Sequence, residues 1–352
     1  MIYDQNTKAQ KWYIKPLEGC ICSDGKHYMI SLKKGIVDKL IVNFVGGGMS
    51  WNEETAAKPL TASAIIGKKE YFYISSVSPM TMRLMHVGIL KANDVRNPFR
   101  DWYVLNIPYA TADFHIGCNE YSYRNAKGEN KILYHHGNKN VDAALALLKD
   151  FYKETPEALV IMGESGGAFG CVAHCPKIKN LYPDCDNIIV YSDGSHLHSP
   201  LWQEIANNIW KVGCDLRAYI KSDDLIYDLF RYARDNMPSH TKFLHSNSVW
   251  DKELTEFMSK MNHDKKLVNP SSLLEFHNTL KDTVKRLKKE IPNYSYYLTD
   301  YGKSKKDRTT PHTFVGTPRL LYSKMQEGKS IVDWLSKAVG KESMDIGEKF
   351  IV

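Results

Sequence analysis

The chain has 352 residues, of which 43% are apolar and 25% charged, and its net charge is +7. This is ordinary globular composition, which excludes a disordered chain, a collagen-like fibre and a coiled coil. No run approaches the ~20 consecutive apolar residues of a membrane-spanning helix, so membrane insertion is not expected.

The N-terminal MIYDQNTKAQKWYIK lacks an apolar h-region. A cytoplasmic chain with mostly structural, reduced thiols is therefore expected, a secreted form whose leader has been removed being the other reading. Seven cysteines leave at least one unpaired. The positive charge concentrates between Lys281 and Arg308, where nine Lys/Arg face four Asp/Glu. That window admits an anionic partner. No zinc-finger or RNA-binding signature accompanies it, so nucleic acid is not expected.

In chain order, LIVNFV at Leu40–Val45 reads as a buried strand. Gly46-Gly47-Gly48 follows it directly. A glycine-rich turn after an early strand is where esterases place backbone N–H groups of an oxyanion hole, here the Gly46-Gly47-Gly48 turn. A P-loop would need a GK[ST] ending, whereas Met49-Ser50-Trp51 follows. Tyr71–Ser75 and Asp101–Ile107 read as strands, and Val141–Tyr152 as an amphipathic helix. Ala158–Met162 (ALVIM) reads as a buried strand, and Gly166–Cys175 as a helix stopped by Pro176. Between them stands Gly163-Glu164-Ser165-Gly166-Gly167, the strand–turn–helix context of a nucleophile elbow, with Ser165 as nucleophile and the Gly166 N–H as a further oxyanion donor. Asn187–Ser192 and Thr241–Ser246 read as further strands. Strands alternating with helices predict a mostly parallel α/β sheet covered on both faces.

A serine nucleophile needs a base, and the base an orienting acid. With the chain order Ser–Asp–His, His312 is the expected base and Asp251, just before a helix-like Lys252–Met261, the expected acid. Asp300 is the rival, but it would come from the strand-like Tyr294–Leu298 that delivers His312 itself. Trp51 is a candidate for stacking on a sugar ring, and Asp113 and Asp193 for binding sugar hydroxyls or satisfying turn N–H groups. His135-His136 and His196-x-His198 lack a third ligand at standard spacing, so neither a metal nor another cofactor is expected.

Two pieces read as additions to one domain spanning 1–352. Residues 199–236 form a helical cap insertion. Residues 271–308 form a basic helix and loop, the helix opening on a Ser272–Glu275 capping box.

The ordered segments CSDG (Cys22–Gly25), FVGGGMSWN (Phe44–Asn52), IPYATADFHIG (Ile107–Gly117), HHGNKNVDAAL (from His135), GESGGAFG (Gly163–Gly170), YSDGS (Tyr191–Ser195), SVWD (ending at Asp251) and PHTF (Pro311–Phe314) resemble the pectin acetylesterase/Notum family of carboxylesterases. The resemblance implies an α/β-hydrolase fold and metal-free ester hydrolysis, with Ser165, Asp251 and His312 as triad and the Gly47–Met49 turn and Gly166 as oxyanion donors. Gly166 stands where relatives commonly carry alanine, which leaves the N–H intact, and Ala110 where they often carry cysteine. The expected reaction is removal of a short acyl group, acetyl, from a carbohydrate through an acyl-enzyme; the basic window admits an acidic one. The alternatives are a deacylase for longer lipid- or protein-linked acyl groups, and a catalytically silent carbohydrate-binding protein on a hydrolase scaffold.

Overall fold

A computed structural model describes residues 8–125 and 127–352. Ten strands are present among them: β1 Trp12–Ile21, β2 His27–Lys33, β3 Lys39–Phe44, β4 Tyr103–Ile107, β5 Asn119–Arg124, β6 Asn130–His135, β7 Ala158–Glu164, β8 Ile188–Asp193, β9 Lys242–Ser248 and β10 Tyr294–Thr299. Eight form one sheet in the order β1-β2-β4-β3-β7-β8-β9-β10. From β4 to β10 every pairing is parallel, and β2 runs antiparallel to both of its neighbours. β5 and β6 form a separate antiparallel hairpin.

The central strands are apolar throughout because both faces are covered. Leu40, Val42, Phe44, Leu159, Ile161, Ile188 and Val190 face one core, while Ile41, Val160, Met162, Ile189 and Tyr191 face the other. The helices that matter below are α1 Gly137–Phe151, α2 Gly166–Leu181, α3 Leu225–Asn236, α4 Lys252–His263, α5 Pro270–Glu290 and α6 Ile331–Val339. Helix α2 packs on β7 and β8, α3 packs on α2, and α6 covers the opposite face at β8. In the stretch 199–236, Trp202 and Trp210 bury their rings near Phe114 before α3 makes the crossover to β9. This mostly parallel, helix-flanked sheet is the architecture of an α/β-hydrolase.

Three local expectations fail for identifiable reasons. Helix α2 does not stop at Pro176 but continues to Leu181. A proline there removes the donor that would serve Val172 O, four residues earlier. The Cys175 thiol takes that carbonyl instead, at 3.1 Å. Helix α5 begins at Pro270, not Ser271, because Asn269 is the N-cap and Ser272 completes its capping box. The stronger cap, with proline at the first helical position, wins over Ser272–Glu275. Tyr71–Ser75 is not a strand; only Tyr73 forms bridges, to Gly48 and Pro59. Its partner is the glycine turn rather than the sheet. Strands β1 and β2 and the β5–β6 hairpin have no counterpart among the expected elements.

Candidate functional site

The sequence-predicted residues converge at the C-terminal ends of the parallel strands, the edge where open α/β sheets bind ligands. Ser165 lies between β7 and α2 with φ +52° and ψ −126°. A non-glycine residue rarely adopts this conformation, and it persists only where the surroundings impose it. Two glycines make the turn sterically possible. A Cβ on Gly163 would lie 2.1 Å from Gly167 O, and one on Gly167 would lie 2.1 Å from Phe44 O. The Ser165 N–H donates to Asp193 O at 2.8 Å, tying the elbow to β8.

Asp251 is fully buried and serves two donors. Its Oδ1 caps α4 by accepting from Leu254 N at 2.9 Å, and its Oδ2 lies 2.6 Å from His312 Nδ1. Of the two acids weighed, it is thus Asp251 rather than Asp300 that reaches His312. Burial pushes the His312 imidazole down, but the charge and hydrogen bond of Asp251, with Glu253 and Asp193 further off, outweigh it and raise its pKa above the ordinary histidine value. Ser165 and His312 line one cleft of about 600 Å³. The Ser165 hydroxyl has no hydrogen-bond partner among the described residues; in free enzymes such bonds are often long and tighten only in the complex.

The glycine turn abuts this elbow: a Cβ on Gly166 would lie 3.4 Å from Gly48 O. Gly47, Gly48 and Gly166 N–H have no hydrogen-bond partner among the described residues, and Gly166 opens helix α2, whose N-terminal dipole favours negative charge. Met49 differs. Its N–H donates to Phe72 O at 2.8 Å, while Gly47 O accepts from Ile74 N at 2.9 Å. The Tyr71–Ser75 segment therefore props the turn and uses up the Met49 donor, leaving Gly47, Gly48 and Gly166 as the candidate donors.

The three residues considered for substrate contact do not line the cleft. Trp51 is buried edge-on against Phe72 and Phe257, which do line it. Asp113 is fully buried and accepts from Thr111 Oγ1, His115 N and Gly137 N. Burial pushes its carboxyl up to about 7. Asp193 is also buried, and accepts from Ser246 Oγ, Phe314 N and Val315 N. Both aspartates answer backbone and hydroxyl donors of the protein itself. His135 and His196 are likewise buried, against Thr111 O and Thr279 Oγ1. Among the described residues no group of three His, Cys, Asp or Glu side chains could hold a metal ion.

Sequence reasoning missed the walls of the cleft. Leu60, Tyr71, Phe72 and Tyr73 line it together with Lys252, Phe257, Lys260 and Lys266 and with Glu253 and Glu256. Glu164, beside the serine, also lines it. Burial and neighbouring Asp193 push its carboxyl up to about 7, against the pull of His312 and the Gly316 N–H. Each cleft lysine has a carboxylate partner: Lys252 with Asp307, Lys260 with Glu54 and Asp264, Lys266 with Glu256. No residue of the basic window 281–308 lines the cleft. The buried strand β10 splits that window, Arg286 lies over the Tyr227 ring, and Lys288 pairs with Asp345.

Beside Ser165 opens a second, much smaller recess. Gly48, Met49, Phe114, Gly166, Phe169, Leu197, Leu254 and Phe257 enclose it, with Phe114 and Phe169 stacked at 4.3 Å. Its volume is about 10 Å³, room for roughly one water-sized sphere.

A strand–turn–helix with Ser165 at its strained apex and a glycine turn beside it, at the carboxyl ends of a mostly parallel, helix-covered sheet, define an α/β-hydrolase-type protein. A family model described as pectinacetylesterase matches residues 4–204, more than half of the chain, and the chain belongs to that family. The match includes Ser165 and both glycine turns; Asp251 and His312 lie beyond it. No curated protein matches the chain at a significant level. Membership implies a hydrolytic esterase acting on acetylated carbohydrate.

Proposed function

We propose that the protein is a serine esterase that removes acetyl groups from an O-acetylated carbohydrate through an acyl-enzyme. Ser165 attacks the ester carbonyl while His312 takes its proton, and Asp251 holds the imidazole tautomer and stabilises the imidazolium. The oxyanion lies between the N–H groups of Gly47, Gly48 and Gly166, where one donor is typically worth ~10²–10³ in rate. The alcohol leaves, and water activated by His312 releases acetate. The observation that supports the acyl preference is the recess beside Ser165, which has room for about one water-sized sphere, the scale of a methyl group. The open, aromatic-walled cleft suits a sugar as the leaving alcohol. The site draws on residues from 46 to 312, which supports a single catalytic domain.

A panel of p-nitrophenyl esters from acetyl to palmitoyl tests this reading. Activity should be greatest on acetyl, fall with chain length and vanish in Ser165→Ala. Palmitoyl esters cleaved as well as acetyl would overturn the acyl assignment, and an active Ser165→Ala would overturn the nucleophile.

A further inference from the structure

We propose that Asp193 is a positioning residue that fixes the separation of Ser165 and His312 by holding the backbone of both loops at once. The proposal rests on the Ser165–His312 reading above. Asp193 ends β8, between the strands that precede the two loops. Its main-chain carbonyl accepts the Ser165 N–H at 2.8 Å, at the strained residue of the elbow. Its carboxylate reaches the other way: Oδ2 accepts from Phe314 N at 2.6 Å and Val315 N at 3.0 Å, two and three residues beyond His312. Oδ1 is held by Ser246 Oγ at 2.7 Å. One fully buried residue thus carries a bond to Ser165 and bonds to the segment that follows His312.

The neighbouring residue repeats the connection. Gly194 has φ +71°, and a Cβ there would stand 2.9 Å from Thr313 Cγ2 and 3.2 Å from His312 Cε1. The Asp193-Gly194 turn therefore lies against the imidazole itself, and its own position is held by Gly194 N–H donating to Ser246 O at 2.8 Å. A buried carboxylate with three donors keeps its charge only while those donors are in place, since burial pushes it up to about 6. The geometry makes the segment after His312 the main supplier of those donors, so carboxylate and loop stabilise one another. Displacements of ~1 Å between reacting groups cost on the order of 10²-fold in rate, which is the scale on which such a clamp matters.

The test is Asp193→Asn, with Ser165→Ala as reference. Asparagine keeps the size but removes the charge and leaves one acceptor oxygen where three donors are now shared between two. The kcat for p-nitrophenyl acetate should fall by about 10²-fold, with KM within about twofold. The charges around His312 come from Asp251 and Glu253 at α4, Asp193 at β8 and Glu164 at β7. Removing the anionic Asp193 eases deprotonation of His312, so the acid limb of kcat/KM should move to lower pH. A role in folding alone would lower thermal stability without moving that limb. If Asp193→Asn does not fold, Gly194→Ala and Ser246→Ala decide the matter: the first pushes on the imidazole with the carboxylate intact, the second frees Oδ1. Both should lower kcat more than they change KM. Wild-type kcat in these variants, with Ser165→Ala inactive, would overturn the clamp and leave the nucleophile standing. An active Ser165→Ala would overturn the underlying reading instead.

Discussion

The residue whose protonation should dominate the pH response is His312. In its proposed role as base it must be neutral, and the Asp251 charge and hydrogen bond hold its pKa above the ordinary value of about 6.5 despite burial. A raised pKa keeps the imidazole protonated to higher pH, so kcat/KM for an acetyl ester should still be rising above pH 6.5. Replacing Asp251 with asparagine should move the limb downward and cut kcat, by about 10⁴ if the tautomer is lost as in other triads. A limb below 6.5 in the native protein, unmoved by that substitution, would separate the Asp251–His312 contact from catalysis. The local placement of Ser165 and Asp251 was legible in the sequence, because each obeys a local rule. Ser165 needs glycines around a strand–helix turn, and Asp251 caps the helix that follows it. Met49 was less legible: that its N–H is spent on Phe72 O depends on a segment some twenty residues away, which no local pattern announces.

Among the elements, α2 shows how a sequence rule is overridden. A proline in a helix interior costs about 3 kcal/mol, much of it from the orphaned carbonyl and the ring clash. The thiol of Cys175 offsets the first part by donating to Val172 O. Cys175→Ala should therefore destabilise the protein by more than its lost volume, by about 1–3 kcal/mol for an unsatisfied buried carbonyl. Adding Pro176→Ala, which restores the main-chain donor, should recover most of that loss. Chemical denaturation of the four-member cycle gives the coupling energy, and additivity of the two changes would show that thiol and proline act independently. The parallel strands were legible as apolar runs because they are buried on both faces. β1 was not, since most of its residues are at least partly exposed, and in β5 (NEYSYR) the inner face is only Asn119, Tyr121 and Tyr123.

At the scale of the molecule, the +7 charge turns out not to describe the site. Lys252 is paired with Asp307, Lys260 with Glu54 and Asp264, and Lys266 with Glu256, and no residue of the basic window lines the cleft. Partly exposed ion pairs of this kind contribute little and are screened by salt. KM for an acetylated anionic glycan should therefore change by less than about threefold between low and physiological salt. A tenfold rise would show that the lysines abandon their carboxylates to hold the substrate. The cleft walls come from segments near residues 60–74 and 252–266, joined only in three dimensions, which is why composition pointed to the wrong surface.

The ordering of the sheet has a kinetic consequence. The glycine turn follows β3, the elbow follows β7 and His312 follows β10, so the reacting groups meet only after pairings between distant parts of the chain have closed. Contacts of such long sequence separation form slowly, because loop entropy must be lost before they give anything back. A nascent chain that has emerged only as far as α2 contains the elbow but no partner for it. Under the proposed mechanism hydrolysis begins only when β10 and its loop have docked, which would make the first turnover a clock for the end of folding and keep a half-made chain from acting on esters.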